Sequence, residues 1–222
     1  MNSFEQFQSP FSWRYGSKEM RAIWSERNKR QLWRRIWVSL AKAESRYGLV
    51  TSDQIAELEA HAEDIDFKKA EELEASIRHD LMAELRTYAS QCPKAGGIIH
   101  LGATSMDIED NADVLRMRDS LSLLKKRLAG LLAALAERIE RYAATPAMAF
   151  THLQPAEPTT LGYRFAFYAQ DLADSYERLS AMIGALKGKG FKGAVGTSAS
   201  YAELLGADKL EDFERALSEA LE

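Results

Sequence analysis

The short run Thr151-His152-Leu153-Gln154-Pro155 holds a hydroxyl, an imidazole and an amide close together, and Pro155 and Pro158 stiffen the chain beyond them. Histidine is the side chain best suited to passing a proton near neutral pH. A second cluster, Arg78-His79-Asp80, sets a fixed cation, a titratable ring and a carboxylate side by side. A third, Thr104-Ser105 followed by Asp107, Asp110 and Asn111, places hydroxyls just ahead of a long apolar periodicity. Hydroxyls and free amides at the start of a helix can hold a carboxylate or phosphate. Proton transfer beside an anion site is the chemistry these residue types allow. Each cluster also has a plainer reading: a histidine on a capped turn, a surface ion pair, and an N-cap with acids at the favourable end of the helix dipole.

Other reactive residue types point less clearly to a site. His100, within the apolar run Ile98–Leu101, reads as a core histidine, and His61, on a charged helix, as a solvated one. Cys92 beside Pro93 has no base or cation next to it to make a reactive thiol. The glycine-rich run Lys187–Ser198 lacks the spacing of a nucleoside-triphosphate loop and reads as a flexible inter-helix connection. Its Lys187, Lys189 and Lys192 could help hold an anion.

Helices are expected to position these groups. Residues 1–16 read as an extended aromatic arm, and Ser17 as the N-cap of a helix running from Lys18 to Tyr47, ended by Gly48. Further helices are expected from Thr51-Ser52-Asp53 to Ala62, from Phe67 to Ser76 and from Leu81 to Ser90. The strongest pattern spans Asp107 to Tyr142, where Val114, Met117, Leu121, Leu124, Leu128, Leu131, Leu135, Ile139 and Tyr142 recur at three- and four-residue spacing. A second rod is predicted from Thr159 to Lys187, with Leu161, Phe165, Tyr168, Leu172, Tyr176, Leu179, Ile183 and Leu186 inward. Pro158 is expected to open it, leaving His152 on the rigid loop before it. Rods roughly 45–55 Å long with apolar seams call for partner helices.

Composition narrows the class. The 222 residues are 46% hydrophobic and 28% charged with a net charge of −4, which gives no electrostatic case for nucleic acid or an anionic membrane. No apolar run reaches transmembrane length, and the first residues lack a signal-peptide pattern. The single cysteine rules out an intrachain disulfide framework and fits a reducing cytoplasm. The four histidines show no zinc-site spacing, so no metal is expected.

Taken together, the motifs resemble those of the fumarase/aspartase superfamily, most closely its adenylosuccinate-cleaving branch. The matching stretches are Arg14-Tyr15-Gly16-Ser17, Arg78-His79-Asp80, Cys92–Gly97 leading into Ile99–Ser105, Asp110-Asn111, Thr151–Pro155 and Gly193–Tyr201. The resemblance implies an all-α fold, with a small N-terminal helical domain over 1–106 and the first long helices of an incomplete bundle over 107–222. It implies non-hydrolytic C–N cleavage releasing fumarate, from adenylosuccinate to give AMP and from the succinyl-carboxamide ribotide SAICAR to give AICAR, in purine biosynthesis. It implies no cofactor, a cytoplasmic homotetramer, and sites assembled from three subunits.

By matching motif, His152 would be the general acid toward the leaving nitrogen, with Thr151 helping to hold substrate. Thr104 and Ser105 would bind a succinyl carboxylate, Arg14 and Tyr15 the phosphate, and Arg78, His79 and Asp80 would line the nucleotide pocket. The family's catalytic serine loop, Ser-Ser-x-Met-Pro-x-Lys-x-Asn-Pro, is not present, so the chain is expected to be the N-terminal half and inactive alone. The alternatives are another superfamily lyase acting on argininosuccinate, fumarate or aspartate, and a non-catalytic helical module that assembles with a partner.

Overall fold

A computed structural model describes residues 9–221. A wide helical turn (Phe11–Tyr15) leads into α1 (Lys18–Ile23), α2 (Glu26–Ser45), α3 (Ser52–His61), α4 (Phe67–Ile77), α5 (Asp80–Gln91) and the 37-residue α6 (Ser105–Arg141). A hairpin of β1 (Pro146–Thr151) and β2 (Gln154–Thr160) follows, then α7 (Leu161–Ala185), α8 (Ala199–Leu205) and α9 (Leu210–Glu219). The extended arm expected over 1–16 lies partly outside the described residues. From Phe11 it is replaced by the helical turn, closed by the Gly16 amide donating to the Phe11 carbonyl.

Local chemistry explains most boundaries. Thr51 and Gln54 form a reciprocal capping box at α3, Asp66 caps α4, and His79 caps α5 by accepting from the Met82 amide. The single helix expected over Lys18–Tyr47 is broken at Ser25. There the Ser25 hydroxyl donates to Ala22 O and accepts from the Asn28 amide, while the Asn28 side chain donates to Ile23 O. Such side-chain bonds compete with the helical ladder and restart it.

The chain divides into two compact units, Met1–Met117 with Lys187–Glu222, and Arg118–Leu186. That division departs from the boundary expected at 106/107. The opening of α6 and the segment after Lys187 pack with the N-terminal helices, because α2 needs cover on more than one side. Along α2, Leu32, Trp33, Ile36, Trp37 and Leu40 recur at helical spacing and are buried. They share a core with Leu81 and Tyr88 of α5, Ile108, Ala112 and Leu115 of α6, Tyr201 of α8 and Phe213 and Leu217 of α9. Each of the large apolar side chains contributes roughly 1.5–3 kcal/mol on burial.

Charges are also buried in this unit. Glu84 of α5 accepts from Arg30 Nη1 at 2.8 Å and from Arg34 Nε at 2.7 Å, both from α2. Arg34 then donates to the His61 and Asp64 carbonyls and to Gln91, and its guanidinium lies over the Tyr88 ring. The network ties α2 to α5 and to the end of α3. Cys92 is buried with its thiol pushed up to about 11, by burial first and then by the Glu57 carboxylate. It is protonated near neutrality, in line with an inert thiol.

Glu44 on α2 is fully buried, and burial pushes its carboxyl up to about 8 from an ordinary 4.5. Between those values the folded chain keeps a proton that the unfolded chain has released. Stability therefore falls as pH rises through that window, by roughly 1 kcal/mol per pH unit. Glu44→Gln is expected to remove this slope and to be the more stable protein at pH 8. Urea midpoints of both proteins across pH 5–9 check it; parallel curves would overturn the assignment of a buried neutral acid.

In the second unit the later part of α6 and α7 run antiparallel. The Tyr142 and Phe165 rings meet near the turn, and Lys125 Nζ lies over Tyr176 further along. Gly162 makes the close start possible, since a Cβ there would meet Ile139 O at 2.7 Å. Of the predicted seam along α6, Met117 at the end of the first unit and Leu124 and Leu131 in the second, spaced one heptad apart, remain 40–48% exposed. Tyr168, expected inward, is also exposed.

The hairpin corrects the reading around His152. Pro158 pairs with Met148 within β2, and the Thr160 hydroxyl, not Pro158, starts α7 by accepting from the Tyr163 amide. Both strands are edges, where proline is tolerated. Thr151 pairs with Gln154, so His152 and Leu153 form a two-residue turn. Both have positive φ, 51° and 64°, as a turn of this length requires to match strand twist.

Candidate active site

The α4–α5 junction builds one side of the candidate site. Arg78 ends α4 in the left-handed conformation (φ 55°), which turns the chain sharply enough for His79 to cap α5. His79 Nδ1 takes the Met82 amide at 3.4 Å, leaving Nε2 facing the Ser105 hydroxyl at 3.4 Å. Two motifs distant in sequence thus meet through a ring and a hydroxyl. Asp80 begins α5 and pairs with Lys29 of α2 at 3.3 Å. Burial pushes the Asp80 carboxyl up, but the Leu81 amide and Lys29 outweigh it and hold the acid below its ordinary range. Glu109, one turn into α6, is shifted the other way, raised by burial and by the nearby Asp80 charge.

Thr104 and Ser105 sit at the start of α6. The Thr104 amide donates to Asp107 Oδ2 at 3.1 Å, which fixes the turn before the helix. Behind it, His100 Nδ1 accepts from the Trp37 indole at 3.0 Å, so the neutral ring carries its proton on Nε2. Burial depresses the His100 ring below its ordinary value, against the pull of Asp107. The expectation of a packed supporting histidine agrees with this position.

The expected site residues fall into three groups. Arg78, His79, Asp80, Thr104 and Ser105 lie in the first unit, with His79 and Ser105 in contact. Arg14 and Tyr15 lie on the N-terminal turn, Arg14 over the Trp13 ring and Tyr15 beside Phe11. Among the described residues, no hydrogen bond or ring contact joins them to residues 78–80. Thr151 and His152 belong to the second unit, at an exposed hairpin tip where Leu153 is 99% exposed. No group of acids, histidines and cysteine among the described residues has the grouping of a metal site.

Lys29, Trp37 and Glu109 were not singled out from the sequence. Lys29 and Trp37 lie within the periodic run of α2, where a tryptophan reads as core and a lysine as solvated surface. Their partners come from elements distant in the chain. Glu109 follows Asp107 in an acidic first turn, where the helix dipole alone accounts for it.

The sequence pattern of a lyase family matches residues 14–219. The chain belongs to this lyase family. The lyase chain is 40% identical over 210 residues to adenylosuccinate lyase of Schistosoma mansoni, covering 94% of this chain and 44% of that protein. It is 39% identical over 230 residues to adenylosuccinate lyase of Saccharomyces cerevisiae, covering 100% of this chain and 47% of that protein. Its fold matches the crystal structure of 3-carboxy-cis,cis-muconate lactonizing enzyme from Pseudomonas putida with a TM-score of 0.83 at 30% identity, over 95% of this chain and 48% of that one. The lyase chain thus spans less than half the length of the relatives it matches. The mainly helical architecture expected from the sequence agrees with these relatives.

Proposed function

We propose that this lyase acts in the cleavage of adenylosuccinate to AMP and fumarate, and of SAICAR to AICAR and fumarate. The observation that carries the reading is the meeting of His79 and Ser105, which joins two of the motifs the chain shares with the adenylosuccinate-cleaving branch. A β-elimination needs a base for the carbon proton, an acid for the departing nitrogen and fixed donors for the charge that grows on the carboxylate. Thr104 and Ser105, at the N-terminus of α6, supply donors for the succinyl carboxylate. Arg78, His79 and Asp80 line the nucleotide, Arg14 and Tyr15 meet its phosphate, and Thr151 helps hold the substrate. His152 protonates the leaving nitrogen, and the proton lost from the neighbouring carbon goes to the serine of the family's catalytic loop, which residues 1–222 do not contain.

The hairpin tip that carries His152 stands exposed, and the Met117, Leu124 and Leu131 column is uncovered. Both features suit a homotetramer in which further copies of the bundle complete each site, acting in the cytoplasm without a metal or organic cofactor. Adenylosuccinate and AMP should each raise the melting temperature, whereas fumarate or arginine alone should leave it nearly unchanged. Fumarate release reads turnover in a protein that also carries the catalytic serine loop. Failure of both nucleotides to stabilise the protein would sink the purine reading.

A further inference from the structure

The glycine-rich run reads in the sequence as a loose connection, yet its first half is tied down. Asp107 is fully buried. Its Oδ2 accepts from the Thr104 amide and from the Gly193 amide, each at 3.1 Å, and its Oδ1 accepts from the Lys192 amide at 3.3 Å. One turn further along α6, Asn111 accepts from the Lys189 amide at 2.9 Å and donates to the Gly190 carbonyl at 3.1 Å. The Asn111 side chain also donates to the Asp107 carbonyl, and Lys189 Nζ reaches Asp110. A single carboxylate oxygen therefore holds both the Thr104–Ser105 loop and Gly193. Beyond Gly193, residues 194–197 are exposed before Ser198 returns its amide to the Lys192 carbonyl.

We infer that Asp107 is a positioning residue, which locks the glycine-rich segment to the Thr104–Ser105 loop so that the two form one edge of the pocket for the substrate's succinyl carboxylates. The inference rests on the proposed function, in which Thr104 and Ser105 hold such a carboxylate. Asparagine is nearly isosteric with aspartate but offers one acceptor oxygen and one donor nitrogen. In Asp107→Asn, that nitrogen must face either the Lys192 amide or the Thr104 and Gly193 amides, so the side chain cannot accept all three bonds. Whichever way the amide turns, a donor meets a donor and the segment loses at least its Lys192 bond or its Gly193 bond. Bonds from backbone amides to a carboxylate are among the stronger ones a loop can have, and a buried donor left unpaired disfavours the closed arrangement.

Two measurements on the full chain test it. Limited trypsin digestion without ligand reads the anchoring directly, because Lys187, Lys189 and Lys192 all lie in the segment. Asp107→Asn is expected to be cut there about 10-fold faster than wild type, with cleavage elsewhere unchanged. Binding of adenylosuccinate and of AMP reads the positioning. Asp107→Asn should lose about 10-fold or more in affinity for adenylosuccinate while holding AMP within about three-fold, since only the former carries the succinyl group. Asn111→Ala, which releases only the Lys189–Gly190 half, should speed cleavage at Lys189 and keep adenylosuccinate affinity. Wild-type cleavage and affinities in Asp107→Asn would overturn the inference. So would a parallel loss of both nucleotides with a lowered melting temperature, the mark of a merely structural residue. If wild type binds neither nucleotide, the functional reading fails by itself, and the digestion pattern still decides whether Asp107 is the anchor.

Discussion

Glu84→Ala is expected to lower the unfolding free energy by about 3–5 kcal/mol. Two guanidinium groups, Arg30 and Arg34, are buried against this one carboxylate. Removing it leaves two cations of like sign close together, out of water, facing carbonyls, Gln91, the Tyr88 and Phe67 rings and the partly exposed Glu74 carboxylate 3.9 Å from Arg30. Hydrophobic loss from a glutamate stem is small by comparison, so uncompensated charge decides the result. The size is about a fifth or more of what a domain typically has. Glu84→Gln, which keeps an acceptor oxygen, should cost less. Chemical denaturation of the three proteins gives the ordering; a loss of under about 1 kcal/mol in Glu84→Ala would show that the cluster is not a determinant of stability.

On the proposed function, and in a protein that also carries the catalytic serine loop, His152→Ala is expected to lower the rate of adenylosuccinate cleavage by about 10²–10⁴-fold, the usual worth of a general acid, while the melting temperature stays near wild type. The second half of that expectation comes from position. The ring stands on an exposed two-residue turn and packs into no core, so its removal leaves no cavity. Loss of activity without loss of stability separates a chemical role from a structural one. Turnover within a few-fold of wild type would remove His152 from the mechanism. Left-handed backbone at a non-glycine residue costs free energy, and among the described residues it occurs only at Arg78, His152, Leu153 and Ser198. Two of these four are proposed site residues. Strain held where substrate is expected to bind is consistent with the assignment.

The parts of the fold legible in the sequence were those set by local chemistry. The starts of α1, α3 and α4 came close to their observed positions because Ser17, Thr51 and Asp66 cap through their own side chains, and the long periodicity of α6 needed only a count of apolar spacing. The hairpin was not readable. Its turn lacks the asparagine-glycine signal that usually marks positive φ, and Pro158 resembled the first residue of a helix. The break at Ser25 hid inside an otherwise helical composition. Partnerships across the chain were out of reach for a different reason. Glu84 reads as a surface acid on α5, and only the packing of α2 against it brings Arg30 and Arg34 to its oxygens. The site showed the same split. Arg78-His79-Asp80 and Thr104-Ser105 stood out by residue type, but their contact, and the hold of Asp107 on Gly193, required the fold.

The sulfur atom of this chain's lone cysteine has one more use. Cys92 is sealed beneath α3 and α5, and its high protonation constant leaves almost no thiolate. A disulfide reagent added to native protein can reach it only in molecules that have opened there, so the rate of labelling acts as a clock for that opening. Every tryptophan and tyrosine signal in the core averages over many positions, whereas this reporter sits at a single address and needs no engineering.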